Sequence, residues 1–115
     1  MVRLTIDIAT DGAGAFTGNS GIASGCTQSL RFVNTNLAAT SDWTVTTSTG
    51  ATVLTRTDQN GSATWYPRAT ATTTDGSTGI TNSFTPIPMV DEAIHLVIAQ
   101  GGATTTGVLY IYVGE

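Results

Sequence analysis

The chain has 115 residues, of which 10% are charged, and its formal net charge at pH 7 is −4. A chain of this length forms one domain with a single core, so we treat residues 1–115 as one unit. Lysine is absent and the four arginines are scattered, which argues against a nucleic-acid-binding protein that contacts phosphates through clustered cations.

Threonine and glycine replace charged residues over much of the chain, and threonine alternates with other residues through 44–57. Threonine is β-branched, so it suits the outer face of a sheet and suits helices poorly. Cys26 is alone, which excludes an internal disulfide, and we interpret it as a small buried or loop thiol. No signal sequence begins at Met1 and no apolar stretch approaches membrane-spanning length, so we expect synthesis in a cytoplasm and no membrane partner.

The first third of the chain predicts two clear strands. Residues 3–9 alternate apolar and polar side chains, the period of a half-buried strand, and Asp11 opens a glycine-rich turn. A short strand resumes at 15–17, and residues 18–25 are a Gly/Ser/Asn loop. The next strand covers 29–34.

The middle of the chain predicts a hairpin and a shorter strand. Residues 37–42 are the one place where a helical turn is plausible. Strands at 42–48 and 51–57 pair as a hairpin, and Asn60-Gly61 is the strongest short hairpin signal in the sequence. A strand at 62–66 follows and ends at a proline.

The last third predicts a long loop and three strands. Residues 68–79 are rich in threonine and poor in apolar residues, which indicates an extended loop. A weak edge strand covers 80–86 and ends at Pro86 and Pro88, and strong strands cover 93–99 and 107–113.

The final strand is apolar on both faces, which is the most informative feature of the sequence. Such a strand is either central in a closed structure or covered by another protein chain. One face carries Val108, Tyr110 and Tyr112, and the other carries Leu109, Ile111 and Val113.

Eight short strands with regularly spaced turns predict an all-β fold, a single antiparallel β-sandwich or jelly-roll-like domain. The predicted core takes the inward residues of these strands: Leu4, Ile6, Ile8, Phe32, Val45, Leu54, Ile94, Leu96, Ile98, Leu109 and Ile111.

The sequence predicts no catalytic, cofactor-binding or metal-binding residues. With one histidine and one cysteine, a His/Cys cluster cannot form in one chain, and we interpret His95 as structural or interfacial. The acidic residues are scattered, and the adjacent pair Asp91 and Glu92 points to opposite sides of its strand. We therefore predict that the chain is not an enzyme and needs no cofactor.

Five aromatic and arginine residues are the predicted interface candidates. Tyr, Trp and Arg are the types that anchor protein interfaces, although Trp65 is explained equally well as a core residue. Arg68 lies beside proline in a region with few charges, where its guanidinium needs a specific acceptor. The candidates are Trp65, Tyr66, Arg68, Tyr110 and Tyr112.

Several short segments together resemble a group of small proteins encoded among the virion genes of tailed bacteriophages. The segments are Thr10-Asp11-Gly12-Ala13-Gly14, Leu30-Arg31-Phe32-Val33, Ser62-Ala63-Thr64-Trp65-Tyr66-Pro67-Arg68 and Val97-Ile98-Ala99-Gln100-Gly101-Gly102, with a closing strand from Gly107. The resemblance implies a virion structural component attached to the capsid or to the head–tail region.

From these observations we expect a capsid decoration or cement protein on the outer surface of the phage head. Its partners are then the major capsid protein or other virion proteins. The apolar final strand favours a homo-oligomer, and we expect a trimer. Two alternatives stay open, a head–tail connector or tail structural protein and a carbohydrate-binding or adhesin-like domain.

Overall fold

The computed structural model describes residues 1–70 and 84–114, and every regular element in these two ranges is a β-strand. The strands are β1 (Val2–Ala9), β2 (Phe16–Asn19), β3 (Ala23–Asn34), β4 (Ser41–Thr47), β5 (Thr52–Gln59), β6 (Ala63–Trp65), β7 (Ala69–Thr70), β8 (Phe84–Thr85), β9 (Ile87–Glu92), β10 (Ile94–Ala99) and β11 (Thr106–Gly114). The predicted all-β class is confirmed.

Two antiparallel sheets pack face to face as a β-sandwich. Sheet 1 has the order β1-β11-β3-β6, and β9 pairs with the other half of the long strand β3. Sheet 2 has the order β2-β10-β4-β5, and β7 and β8 form a separate two-stranded ribbon.

The apolar final strand β11 lies in the middle of sheet 1, hydrogen-bonded to β1 on one side and to β3 on the other. Its inner residues Leu109 and Ile111 are fully buried at 0% exposure, whereas Tyr110 and Tyr112 on the outer face are half-buried. The central position of β11 therefore explains why its inner face is apolar, whereas its outer face stays partly exposed between the side chains of the neighbouring strands.

The core lies between the sheets and is centred on three aromatic rings. Trp43 of β4 meets Phe32 of β3 edge-on, with ring centroids 4.5 Å apart, and meets Trp65 of β6 at 5.7 Å. Edge-to-face pairs of this kind stabilise beyond their buried area. Because the three residues come from both sheets, this cluster joins the two layers.

Ten of the predicted core residues are buried, and the exception is Leu54. Leu54 is only partly buried and packs against the edge of the core, whereas its neighbour Val53 is buried. The pairing of β4 with β5 shifts register between Val45 and Thr46, so an extra residue enters β5 and turns Val53 inward. The core also includes Leu30, Leu37, Trp43, Ile87, Met89 and Val113.

The predicted loop at 18–25 is wrong at both ends, because β2 continues to Asn19 and β3 already begins at Ala23. This part of β3 pairs with β9 through an irregularity between Ala23 and Gly25, and Gly25 has φ of +134°. A Cβ on Gly25 would lie 2.3 Å from the carbonyl oxygen of Gly114. Glycine thus marks a bulge inside the strand rather than a loop, because β3 and β11 approach each other closely there.

The predicted strand at 80–86 is also misplaced. Residues 80–83 lie outside the described residues, residues 84–85 form β8, and the longer strand β9 runs from Ile87 to Glu92. Pro88 lies inside β9 opposite Cys26 instead of ending a strand. A proline is tolerated there because β9 pairs with β3 alone among the described strands, so the missing amide faces away from the ladder.

Three smaller predictions also need correction. The helical turn predicted at 37–42 is absent: residues 39–40 form a turn closed by the Ser41 amide, which donates to Ala38 O at 3.1 Å, and β4 already begins at Ser41. The turn at Asn60-Gly61 joins β5 of sheet 2 to β6 of sheet 1 and is not a hairpin. The predicted loop from Arg68 contains β7 at its start, and residues 71–79 lie outside the described residues.

A buried pair of threonines ties the loop between β10 and β11 to the end of β1. The Thr105 amide donates to Thr10 Oγ1 at 2.7 Å, and Thr10 Oγ1 lies 2.7 Å from Gly102 O. The Thr105 hydroxyl donates to Gly101 O, also at 2.7 Å. Since β10 and β11 belong to different sheets, these bonds hold the crossing between the two layers in place.

Candidate interaction surface

The outer face of sheet 1 brings tyrosines and arginines together around β11. Tyr110 pairs with Arg31 of β3 on one side and with Thr5 of β1 on the other, and Tyr112 pairs with Arg3. We call this surface the Tyr110 face and define it by Arg3, Arg31, Val108, Tyr110 and Tyr112. The alternation of β11 places these tyrosines outward, opposite the buried residues of the same strand.

Arg3 lies over the ring of Tyr110, with its guanidinium carbon 4.9 Å from the ring centroid. A cation this close to an aromatic face is stabilised by the ring quadrupole, by about 0.5–1 kcal/mol at an exposed site. The contact favours this position of the Tyr110 ring, which slightly lowers the entropy cost of binding a partner there.

Half of the four arginines of this acidic chain lie on the Tyr110 face. Arg3 and Arg31 are both exposed, and Asp7 is the acidic residue of β1 opposite Val108. The local charge is thus opposite in sign to the net charge of −4. Such a surface fits a partner that offers carboxylates or aromatic rings to the guanidinium groups.

A shallow depression continues the Tyr110 face between β3 and β6. It has a volume of about 280 Å³ and is lined by Arg31, Phe32, Val33, Ser62, Ala63 and Thr64. A side chain of a partner protein can enter a recess of this kind beside a flat sheet face.

Trp65, a predicted interface candidate, packs into the protein. It lies opposite Leu30 in sheet 1 and contacts Trp43, so its half-buried ring packs against the core. The core interpretation given by the sequence is consistent with this position.

Tyr66 and Arg68 follow β6 and differ from each other in their surroundings. Tyr66 is 68% exposed. Arg68 Nη1 donates to the carbonyl oxygens of Gln28 at 3.0 Å and of Pro67 at 2.8 Å. The acceptor that the sequence required for Arg68 is thus backbone of the same chain, and Arg68 ties the segment after β6 to β3.

The opposite surface of the sandwich, on sheet 2, carries a pair of polar side chains at β10 and β2. His95 Nδ1 lies 2.7 Å from Asn19 Oδ1, across the pair of β10 and β2. Both residues border an open depression of about 300 Å³ that is also lined by Thr46, Thr47, Ser48 and Gly50. His95 has a structural partner, in agreement with its interpretation from the sequence.

Two carboxylates have lowered pKa values, and both accept hydrogen bonds from groups of the same chain. The pKa of Glu92 is lowered because the Thr49 hydroxyl donates to its carboxylate, with further help from the Val90 amide. The pKa of Asp11 is lowered because the amides of Ala15 and Ala13 donate to it in the turn after β1. Glu92 is buried while Asp91 is exposed, so the two carboxylates point apart as predicted, but the alternation of β9 is broken there, since Val90 and Asp91 are both exposed and Asp91 has a φ of +48°.

Sequence reasoning identified Tyr110 and Tyr112 but missed Arg3 and Arg31 as their neighbours.

Among residues 1–70 and 84–114, no group of three or more His, Cys, Asp and Glu side chains could hold a metal ion. In the same part of the chain, no helix is long and apolar enough to cross a membrane. No protein-family model matches the chain, and no curated protein matches it significantly.

Proposed function

We propose that this protein is a structural component of a tailed-bacteriophage virion that decorates or cements the outer surface of the capsid. The observation that carries the proposal is the Tyr110 face, a flat surface on which two tyrosines and two arginines meet across three strands. Tyr and Arg dominate the anchoring positions of protein interfaces. The segments that resemble virion proteins provide the link to a phage particle.

A cementing role needs only a folded block that binds at many equivalent positions. A protein shell repeats its surface, so modest contacts at each site add up through avidity when neighbouring copies also touch each other. A rigid sheet face suits this task because little of it has to become ordered on binding. The homo-oligomer predicted from the sequence supplies the contacts between copies.

The charge distribution favours the outside of the shell. The net charge of −4 disfavours contact with packaged DNA, whereas the arginines of the Tyr110 face attract carboxylates of a protein partner. The major capsid protein is the partner that offers the largest number of equivalent sites.

The test compares two arginine variants in a rebinding assay on particles stripped of this protein. Arg31→Ala removes an anchor from the Tyr110 face, and Arg56→Ala makes the same charge change on β5 of sheet 2. We expect Arg31→Ala to weaken rebinding by at least about tenfold, the loss typical of a hot-spot arginine, and Arg56→Ala to rebind like the wild type. Equal losses for the two variants contradict a role for the Tyr110 face.

Copy number in purified particles separates the proposed role from a head–tail connector or tail protein. A decoration protein is present in numbers comparable to the major capsid protein, whereas a connector forms a single ring. Quantitative gel densitometry of purified particles measures this ratio. Absence of the protein from purified particles refutes a virion role altogether.

A further inference from the structure

Strand β1 forms a free edge of sheet 1 among the strands of residues 1–70 and 84–114. It pairs with β11 in an unbroken register from Val2 opposite Val113 to Ala9 opposite Thr106. The Thr10 amide donates to Thr105 O at 2.9 Å and continues this register. Antiparallel ladders alternate, so the even-numbered residues of β1 bond to β11 and the backbone groups of the odd-numbered ones point to the free edge.

The residues that offer these unpaired backbone groups are accessible. Arg3, Thr5 and Asp7 are all exposed. Natural proteins protect a free edge with charged side chains, above all lysine, with proline, with a bulge or with a short strand. Strand β1 has eight residues, no proline, no lysine and no register shift, and its two charges, Arg3 and Asp7, have opposite signs, so it can template a strand with complementary charges.

The charges of β1 are complementary to themselves in one arrangement. When two copies of the strand lie antiparallel with Thr5 opposite Thr5, Arg3 of each copy lies opposite Asp7 of the other. Sliding the strands by two residues in either direction removes both charge pairs, and sliding by four places Arg3 opposite Arg3 or Asp7 opposite Asp7. A parallel arrangement also sets like charges against each other, and like charges directly opposite are destabilising.

We infer that two copies of this protein associate through β1, antiparallel and about a twofold axis at Thr5, to form one continuous sheet. Thr5 then forms a hydrogen-bonded pair with its counterpart, and the two pairs of Arg3 with Asp7 flank it. The Arg3 guanidinium lies over the Tyr110 ring of its own copy, and its N–H donors are free to bond the carboxylate of the second copy.

This pairing depends mainly on backbone hydrogen bonds and charge. The inward residues Leu4 and Ile6 are already buried, at 9% and 3% exposure, so little apolar surface remains to be covered. The association should therefore be reversible and should weaken with salt. A twofold, isologous contact also departs from the trimer expected from the sequence, because one edge strand paired with itself closes after two copies.

The inference does not depend on capsid binding, although the pair would present two Tyr110 faces side by side. Self-association is tested with the purified chain alone, whereas capsid binding is tested by the rebinding assay. Either proposal can therefore fail without affecting the test of the other. A strand from another protein on this edge would leave the purified chain monomeric and would overturn the inference.

Register-specific cross-linking tests the geometry. In a Cys26→Ala background, Thr5→Cys places two thiols opposite each other at the twofold axis, within the Cα separation that a disulfide spans. Ala9→Cys, the matched control at another exposed odd-numbered position of β1, keeps both charge pairs and places its two thiols eight residues away from each other in the ladder. We expect the Thr5→Cys variant to form a covalent dimer under mild oxidation and the Ala9→Cys variant to stay monomeric on a non-reducing gel. No dimer for Thr5→Cys, or equal dimer for both variants, overturns the proposed register.

Charge reversal tests the source of the specificity by sedimentation at low salt. Arg3→Asp and Asp7→Arg, each alone, set like charges opposite each other and should raise the dimer dissociation constant by at least about tenfold. The double variant restores the pairs in reverse and should return the constant to the wild-type range. A wild-type chain that stays monomeric at all concentrations, or a double variant weaker than both single ones, overturns the inference. Circular dichroism of each variant checks that the sandwich has folded.

Discussion

The buried threonine pair at the crossing between the sheets allows a stability effect to be worked out from single hydrogen bonds. The substitution is Thr10→Val, which keeps the shape of the side chain and replaces its hydroxyl by a methyl group. In the wild type, Thr10 Oγ1 accepts the Thr105 amide at 2.7 Å, and Thr10 is only 6% exposed. The variant leaves that amide without its acceptor in a place that water does not easily reach.

The cost follows from counting the groups that lose a partner. Gly102 O also loses the Thr10 hydroxyl, because the Thr105 hydroxyl donates its proton to Gly101 O, but Gly102 is only half-buried, so the buried Thr105 amide is the main orphaned group. An unsatisfied buried donor costs about 1–3 kcal/mol. An unfolding entropy of about 2.1 cal/mol/K per residue corresponds to about 0.24 kcal/mol/K for a chain of this length. A loss of about 2 kcal/mol in the free energy of unfolding therefore lowers Tm by about 8 °C.

Urea unfolding and thermal melts of Thr10→Val measure this cost. The matched control is Thr44→Val, the same chemical change at an exposed position of β4. We expect the control to change the free energy of unfolding by less than about 0.5 kcal/mol, as exposed substitutions usually do. Equal stability of the two variants refutes the assignment of the Thr10 hydroxyl as a required acceptor.

Two further predictions concern the backbone and the buried acid. Gly25→Ala should lower the free energy of unfolding in urea clearly more than Gly21→Ala does. A Cβ at Gly25 meets Gly114 O, whereas a Cβ at Gly21 meets nothing within 4 Å. Equal effects of the two substitutions contradict the close approach of β3 and β11. The pKa of Glu92 is lowered in the fold, so its contribution to stability is complete above the ordinary glutamate pKa and is lost as the pH falls through the folded value. Glu92→Gln should be less stable than the wild type at neutral pH and should lose less stability on acidification. Thr49→Ala removes the main hydrogen-bond donor to Glu92, so its free energy of unfolding should also depend less on pH in the acidic range. Parallel acid unfolding of the wild type and both variants contradicts the bond between Glu92 and Thr49.

The sequence by itself determined the fold class and most of the core. Alternating apolar residues such as Leu4, Ile6 and Ile8 specify both a strand and its inward face, because the side-chain period of a strand is two residues. The same local rule showed that β11 is apolar on both sides, so this strand had to be central or covered.

Tertiary structure alone decided which strands pair and which surfaces they form together. Local turn chemistry at Asn60-Gly61 indicated a hairpin, yet the two flanking strands enter different sheets. In the same way, β3 begins at Ala23 in a segment rich in small and polar residues, because pairing with β9 and β11 stabilises a strand that its own composition does not favour.

The Tyr110 face and the free edge of β1 depend on the same long-range pairing. Arg3, Arg31 and Tyr110 are far apart along the chain, and the registers of β11 with β1 and β3 bring them together. Register follows from burying the inner faces of all three strands at once, which no single segment encodes. The residue types of the surface are therefore visible in the sequence, whereas their meeting point is a property of the folded sheet.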